Sequence, residues 1–208
     1  MDCRENPTPC FPYGAAEVEY LARRDKKLGA AINRIGFIRR PQAPDPFAAL
    51  ISSVVSQQVS KKAAKTVWDR LAALLGSVDP ETIDRTGADA IQACGLSLRK
   101  VAYIKGIADA VLSGQIDFAA LSGLEDRQVI AQLTALPGVG VWTAEMLLIF
   151  SFCRPDILSY SDLAIRRGMM NLYGHRDLSR ERFEKYRARY SPWGSVASLY
   201  LWELSHQD

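Results

Sequence analysis

The sequence predicts an all-α protein, and two observations support this prediction. Apolar residues recur at helical spacing along most of the chain, whereas the alternation of apolar and polar residues typical of half-buried β-strands is absent. The helical segments are bounded by Asp, Ser and Gly, which are favoured at helix ends. No repeat of about 20 to 50 residues is present, so a solenoid is not expected.

The individual segments carry recognisable starts and stops. In EYLARRDKKLGAAINRIG the large aliphatic residues are spaced for one face of a helix. After the proline-rich RRPQAPDPF, Asp45 followed by Pro46 predicts a helix start, because proline suits the first helical position. Ser60 predicts a second start, and Gly76 predicts the end of that helix. The segments from DPETIDR to EDRQVIAQLTAL continue as short helices.

The composition is that of a folded globular protein. The chain has 208 residues, of which 48% are hydrophobic and 24% are charged, and it can form one large domain or two small ones. The net charge of +3 allows a nucleic-acid partner without requiring one. Neither a signal peptide nor an apolar run of the roughly 18 residues that cross a bilayer is visible. We therefore expect a soluble cytoplasmic protein with no membrane association.

The cysteines argue against a metal site. Cys3, Cys10, Cys94 and Cys153 are scattered, and neither histidine lies near a cysteine in the sequence. Zinc and iron–sulfur sites need clustered ligands, so we expect neither.

The stretch LPGVGVWTAEM, from Leu136 to Met146, is the first candidate for function. Gly138 and Gly140 allow positive φ and leave no Cβ in the way, so successive backbone amides can converge on a phosphate. An apolar helical pattern follows directly, and its N-terminus adds a partial positive charge at the same place. By spacing alone, an ordinary turn between two helices explains the loop equally well.

Asp162 is the second candidate. It lies 20 residues after Trp142, directly before the helical pattern that begins at Leu163. A carboxylate here can cap the helix, and so can Ser161. The same carboxylate can stabilise a developing cation and orient a water. The spacing does not separate capping from catalysis.

The stretch from Leu136 to Gly168 resembles the helix-hairpin-helix DNA glycosylase superfamily, in which a hairpin LPGVG precedes an essential aspartate. Within it, the chain is most similar to bacterial 3-methyladenine DNA glycosylase II. FAALISSVVSQQVSKKAAKTVW resembles the early barrel helices of that family, and YSPWGSVASLYLW resembles its terminal helix. The resemblance therefore extends from Phe47 to Trp202.

The resemblance implies a role for each candidate residue. Asp162 is the catalytic carboxylate. The hairpin backbone binds a DNA phosphate, in this family often through a monovalent cation, Na⁺ or K⁺, at Leu136 and Gly138. Lys61 opens a helix beside the expected wedge and can contact a phosphate, or it can lie on a solvated face. The phosphate-binding residues implied are Gly138, Val139, Gly140, Thr143 and Lys61.

Other residues match the wedge and the base pocket of that family. Gln58, with its neighbour Gln57, falls where the family inserts a wedge into the space left by the extruded base; a solvated loop is the alternative. Trp142, Trp193 and Met146 match positions that line the base pocket, although either tryptophan could lie in the core instead. Met146 stands where a related enzyme has tyrosine.

Trp142 also indicates whether the enzyme can cut the DNA strand. Relatives that cut the strand have a lysine there as a Schiff-base nucleophile, and tryptophan cannot form an imine. The resemblance therefore implies a monofunctional enzyme without lyase activity. It flips an N-alkylated purine, 3-methyladenine or 7-methylguanine, out of duplex DNA and hydrolyses its glycosidic bond, leaving an abasic site.

The implied architecture is two helical lobes with a DNA-binding cleft between them. Residues 46–154 form a six-helix barrel that contains the hairpin, and residues 1–45 with 155–208 form the second lobe, with Asp162 facing the cleft. We expect a monomer that binds damaged double-stranded DNA, needs no cofactor and associates with the nucleoid through DNA. The chain reaches Asp208 without the four-cysteine cluster of other branches, so no iron–sulfur cluster is expected.

Two alternatives remain open from the sequence. A glycosylase for another lesion, such as an oxidised purine or uracil, would carry the same motifs. A non-catalytic helix-hairpin-helix DNA-binding module would explain the hairpin but would leave Asp162 and Trp193 unexplained.

Overall fold

A computed structural model of the chain describes residues 9–206. Within that range the regular structure is helical, apart from an isolated β-bridge between Cys10 and Pro41, so the predicted all-α fold is confirmed. The first eight residues of the predicted second lobe, with Cys3, and its last two residues lie outside the described range. The helices are α1 (Ala15–Arg24), α2 (Lys26–Ile35), α3 (Pro46–Ser56), α4 (Lys61–Leu75), α5 (Pro80–Arg85), α6 (Ala88–Ala93), α7 (Leu98–Leu112), α8 (Phe118–Leu121), α9 (Asp126–Thr134), α10 (Val141–Phe150), α11 (Leu163–Tyr173), α12 (Arg180–Tyr190) and α13 (Gly194–Leu204).

Helix starts in the first half of the chain follow the sequence signals directly. At the start of α3, the carboxylate of Asp45 accepts a hydrogen bond from the backbone N–H of Ala48 at 3.0 Å. At the start of α4, Oγ of Ser60 accepts one from the N–H of Ala63 at 3.3 Å. That helix ends at Gly76, whose φ is 72°. The predicted starts of α3 and α4 and the predicted end of α4 are thus confirmed.

Asp25 divides the N-terminal helical segment into two helices. Its backbone is extended, and its carboxylate accepts a hydrogen bond from the N–H of Leu28 at 2.9 Å, so α2 begins directly after it. The same carboxylate accepts hydrogen bonds from the Tyr173 hydroxyl and the Arg189 guanidinium, each at 2.6 Å. Burial by itself raises the pKa of Asp25, but these hydrogen bonds outweigh it and hold the pKa below its ordinary value.

Two compact units make up the described chain. One, called unit 2 here, runs from Asp45 to Leu147; unit 1 contains the described residues up to Pro44 and those from Leu148 onward. Within unit 2, α7 is the central helix, because it packs against α3, α5 and α6. Its buried face includes Ile104 and Ile107.

In unit 1, α11 and α13 pack unusually closely. A Cβ added at Gly168 in α11 would lie 1.9 Å from the backbone oxygen of Leu201 in α13, so a side chain at that position would force the helices apart. The helix α13 is buried around almost its whole circumference, as its mostly apolar sequence requires. This approach lets Trp202, the neighbour of Leu201, reach the start of α11.

Candidate active site

The hairpin is a tight loop in unit 2 between the end of α9 and the start of α10. The N–H of Leu136 donates to the oxygen of Leu133 at 3.1 Å, and that of Val139 donates to the oxygen of Leu136 at 3.3 Å. The first hydrogen bond of α10 runs from the N–H of Ala144 to the oxygen of Gly140 at 3.1 Å. The N–H groups of the first helical turn point along the axis, so α10 directs its positive end past Gly140.

Gly138 is held in a conformation and a space that suit glycine alone. Its φ is 77°, and a Cβ there would lie 2.2 Å from the ring of Tyr103. Val139 and Thr143, which the resemblance implies as phosphate-binding residues, have buried side chains. Around Gly140 there is open space, into which another molecule's backbone can approach.

The loop between α3 and α4, here called the wedge loop (residues 57–60), lies against this hairpin. Nε2 of Gln57 donates a hydrogen bond to the backbone oxygen of Gly138 at 2.9 Å. Gln58 is exposed and has a φ of 56°, a left-handed conformation uncommon outside glycine. Lys61, the first residue of α4, is exposed beside it. The structure therefore brings the predicted wedge residues and the predicted phosphate-binding loop together.

Trp142 and Met146 lie one helical turn apart in α10. A spacing of four residues places them on the same side of that helix. Trp142 is 42% exposed, which is high for so large an aromatic residue, and Met146 is half-buried. Both predicted pocket positions are thus on one side of the helix that follows the hairpin.

Asp162 in unit 1 is the N-cap of α11. Its Oδ1 accepts hydrogen bonds from the backbone N–H groups of Ala164 at 2.8 Å and Ile165 at 2.9 Å. Its Oδ2 accepts one from Nε1 of Trp202 at 3.2 Å. The side chain is buried. An ionised carboxylate only accepts hydrogen bonds, and these three partners all donate, so they match that form and fix the orientation of the group.

Trp202 is a candidate residue that the sequence prediction missed. Its ring stacks on Phe150, with the two ring centroids 5.7 Å apart and the planes at 24°. The resemblance assigned Trp193 instead, which is half-buried and occupies the N-cap position of α13. Nine residues amount to about two and a half helical turns, so the two tryptophans project from roughly opposite sides. Of these two tryptophans, Trp202 is the one that donates a hydrogen bond to Asp162.

The described residues hold no conventional metal centre. Among residues 9–206, no group of three or more His, Cys, Asp or Glu side chains is arranged to bind a metal ion. The backbone oxygen of Gly138 accepts a hydrogen bond from Gln57, but a carbonyl oxygen has two lone pairs and can also contact a monovalent cation.

Within residues 9–206, the structure contains no helix with the length and apolar character needed to cross a membrane.

Two clusters therefore emerge, each within one unit. In unit 2, the wedge loop meets the hairpin at Gly138. In unit 1, Asp162 meets Trp202. The DNA-binding cleft expected between the two lobes, with Asp162 facing it, stays a prediction.

Comparison with known proteins shows the family to which this chain belongs. Residues 51–192 match the family described as HhH-GPD superfamily base excision DNA repair protein. The DNA-3-methyladenine glycosylase 1 of Schizosaccharomyces pombe is 34% identical over 172 residues, which cover 80% of this chain and 75% of that protein.

Two solved structures share the fold. The crystal structure of a DNA-3-methyladenine glycosidase from Bacillus halodurans has 37% identity and a TM-score of 0.86, and the match covers 96% of this chain and 93% of that one. The 3-methyladenine DNA glycosylase of S. pombe in complex with abasic DNA has 31% identity and a TM-score of 0.80, with coverage of 91% and 96%. The family predicted from the hairpin and the aspartate is confirmed. This chain belongs to the HhH-GPD superfamily of base excision DNA repair proteins.

Proposed function

We propose that this protein is a monofunctional DNA glycosylase of base excision repair, which releases N-alkylated purines such as 3-methyladenine and 7-methylguanine from duplex DNA. The observation that carries the proposal is the fixed carboxylate of Asp162, with one oxygen on the first turn of α11 and the other on Trp202. The names of the similar proteins, which are 3-methyladenine glycosylases, support the substrate class.

The hairpin holds the DNA backbone. The positive end of α10 and the glycine backbone at Gly138 and Gly140 attract a phosphate without reading the base sequence. Thr143 takes part through its N–H group, which lies in the first turn of α10. The N–H of Val139 already donates to the oxygen of Leu136, so Val139 contributes by fixing the shape of the loop. A monovalent cation, Na⁺ or K⁺, at the carbonyls of Leu136 and Gly138 strengthens this contact. Lys61 adds a phosphate contact beside the wedge.

Base flipping follows. Extruding the damaged nucleotide costs a few kcal/mol of unstacking and unpairing. Gln58 fills the vacated space in the duplex, which lowers the rate at which the base returns. Alkylation at N3 or N7 leaves a positive charge on the purine, and stacking that cation on an indole contributes about 0.5–2 kcal/mol. Trp142, Trp193 and Met146 are the proposed pocket residues, and the contact between Trp202 and Asp162 adds Trp202 to them.

Asp162 acts on the sugar. As the glycosidic bond breaks, its electron pair leaves with the cationic base, which departs neutral, and positive charge develops on the deoxyribose ring. A carboxylate already fixed by three donors stabilises that charge without reorganising during the reaction. Water then attacks the anomeric carbon and loses a proton, which leaves an abasic site in an intact strand.

The reaction needs only water as its second reactant. We therefore propose that the enzyme works without an organic or redox cofactor. We further propose that it acts as a monomer in the cytoplasm and associates with the nucleoid through DNA. Because the indole of Trp142 offers no amine for a Schiff base, the enzyme does not cut the strand.

Base release from a methylated duplex tests this proposal. The protein is incubated with duplex DNA methylated at purine N3 and N7, and the released bases are separated and quantified. Strand breaks are counted before and after alkali, and borohydride is added in parallel to trap any imine. The expected result is release of 3-methyladenine and 7-methylguanine, breaks only after alkali and no trapped complex.

Separate incubations with duplexes that contain uracil or an oxidised purine distinguish between the lesion classes. Release of either base, without release of methylated purines, would overturn the alkylpurine proposal and retain a glycosylase. Binding to all of these duplexes without release of any base would leave only a DNA-binding module. Breaks before alkali or a borohydride-trapped complex would overturn the monofunctional mechanism.

A further inference from the structure

The first turn of α7 carries a lysine that is bonded to the wedge loop. Nζ of Lys100 donates hydrogen bonds to the backbone oxygens of Val55 and Gln57, each at 2.7 Å. These oxygens belong to the C-terminal end of α3, where helix carbonyls lack intrahelical donors and the helix dipole favours a cation. Lys100 thus fixes the peptide that directly precedes Gln58.

That peptide matters because Gln58 has an unfavourable backbone conformation. Its φ of 56° is left-handed, and a residue with a Cβ holds that conformation only when its surroundings impose it. The carbonyl of Gln57 is half of the peptide unit that leads into Gln58, and Lys100 holds this carbonyl. Losing the lysine would therefore let the exposed wedge side chain leave its present direction.

The same face of α7 also supports the hairpin. Tyr103 lies three residues after Lys100, and its ring closes the space beside Gly138. Gln57 completes the link, because its side-chain amide donates to the oxygen of Gly138 at 2.9 Å. A cavity of about 240 Å³ lies where the wedge loop, α7 and the hairpin meet. All these contacts are within unit 2.

We propose that Lys100 is a positioning residue, which holds Gln58 at the angle needed to enter the duplex and, through Gln57, ties the wedge loop to the phosphate-binding hairpin. This inference rests on the proposed function for the role of Gln58. It adds a residue to which the sequence patterns assign no role: Lys100 does not touch the substrate, and its effect passes through the loop it holds.

The variant that tests this role is Lys100→Met. Burial lowers the pKa of Lys100, because desolvation disfavours the charged form of its side chain. Methionine is unbranched and of similar length, so Lys100→Met keeps the apolar stem of the side chain and removes only the ammonium. Lys100→Met is therefore expected to fold, while the wedge loop loses its two anchoring hydrogen bonds.

Lys105 provides a matched control on the same helix. Its Nζ donates to the backbone oxygens of Ile83 and Asp84, each at 2.8 Å, at the C-terminal end of α5. The chemistry is the same as at Lys100, since an ammonium holds two carbonyls at a helix end. The difference is that α5 carries neither the wedge nor the hairpin. Lys105→Met therefore reports the cost of losing such a contact without affecting the wedge loop.

The experiment compares two substrates at saturating enzyme in single turnovers. One duplex carries 7-methylguanine opposite cytosine, and the other carries it opposite thymine, where flipping costs less because the base is mispaired. Lys100→Met is expected to slow release from the paired lesion by about tenfold, which corresponds to about 1.4 kcal/mol, and from the mispaired lesion by about twofold. Lys105→Met should stay within about twofold of the wild type on both.

Wedge insertion is also measured without base release. A duplex carries a reduced abasic analogue with 2-aminopurine opposite it, and the fluorescence change on binding reports entry of the Gln58 side chain. Wild type and Lys105→Met should give the full change, and Lys100→Met less than half of it at saturation.

The outcomes separate the two proposals. Equal losses on both lesions, or a full 2-aminopurine change in Lys100→Met, would overturn the positioning role while leaving the glycosylase function intact. A wild type that releases no methylated base would instead overturn the proposed function. The fluorescence comparison would then still decide whether Lys100 positions the wedge loop.

Discussion

The indole Nε1 of Trp202 donates a hydrogen bond to Oδ2 of Asp162 at 3.2 Å, across 40 residues of sequence. The ring that carries this donor is stacked on Phe150, and the close packing at Gly168 brings its helix near enough for the contact. Because Oδ1 accepts hydrogen bonds from two backbone N–H groups in the first turn of α11, both carboxylate oxygens are fixed. A carboxylate held in this way can stabilise charge on a sugar without first turning toward it.

Trp202→Phe tests this hydrogen bond. Phenylalanine can keep the stacking on Phe150 but removes the donor, so Asp162 gains freedom to turn. A hydrogen bond to a charged group contributes about 1.5–3 kcal/mol, which corresponds to a slowing of base release by roughly 10- to 100-fold. The measurement is the single-turnover rate on methylated duplex DNA, with the thermal midpoint followed by circular dichroism.

Trp193→Phe is the control for that substitution, because Trp193 is the other tryptophan of the same terminal segment and lies at the N-cap of α13. We expect the rate of base release to fall less in Trp193→Phe than in Trp202→Phe. If Trp193→Phe releases bases more slowly than Trp202→Phe, then Trp193 contributes more to the reaction than Trp202 does.

Gly138→Ala and Gly140→Ala test the hairpin. At Gly138 a Cβ would meet the ring of Tyr103 at 2.2 Å and the φ is positive, so we expect a loss of about 2 kcal/mol in the free energy of unfolding. At Gly140 a Cβ meets nothing within 4 Å, so stability should change by less than about 0.5 kcal/mol.

DNA affinity then separates the two glycines. If a phosphate approaches the backbone at Gly140, the added methyl group should weaken binding to an abasic duplex by about tenfold, or 1.4 kcal/mol, even though the protein is equally stable. Urea denaturation and fluorescence anisotropy provide the two measurements. Wild-type affinity in Gly140→Ala would show that DNA does not come close to this part of the hairpin.

Asp25→Asn tests the pH dependence of stability. The folded state holds the pKa of Asp25 below its ordinary value, so its contribution is complete above the unfolded pKa of about 3.9 and is lost as pH falls through the folded value. At neutral pH the substitution should cost about 1–2 kcal/mol, a figure discounted because Arg189 is partly exposed. The difference between variant and wild type should shrink as pH is lowered below about 4.

Urea denaturation at a series of pH values from neutral to acid measures this effect. Glu181→Gln is the control, since its ion pair with Lys185 is fully at the surface and should contribute no measurable stability. A constant difference between Asp25→Asn and wild type at all pH values would show that the carboxylate charge is not what stabilises unit 1.

The sequence predicted best what depends on neighbouring residues. Asp45, Ser60 and Asp162 each cap a helix that starts directly after them, and a cap bonds to an N–H only two or three residues away. The hairpin was visible for the same reason, because its glycines and its following helix are adjacent in the chain. Family membership rested on these local patterns and needed no long-range contact.

What the sequence could not show depends on packing between distant segments. Gln57 reaches Gly138 across 81 residues, and Trp202 reaches Asp162 across 40. Neither contact leaves a local pattern, since each depends on how closely two helices approach. The resemblance implies Gln57 as a wedge residue, which stays a prediction, and the structure adds a hydrogen bond from its side chain to the hairpin. The resemblance also implies Trp193 as a pocket residue, which stays a prediction, and the structure adds Trp202, which contacts the carboxylate.

The central claim is that the carboxylate of Asp162 carries out the chemistry and does more than cap α11. Asn is as good an N-cap as Asp, so Asp162→Asn keeps the helix start and removes only the charge. The decisive measurement is the single-turnover release of 3-methyladenine and 7-methylguanine by this variant, together with its thermal midpoint and its affinity for an abasic duplex. We expect release to fall by more than about 100-fold, as for the loss of a preorganised charge, with stability and DNA binding retained. Release at the wild-type rate by a folded, DNA-binding Asp162→Asn would contradict the account.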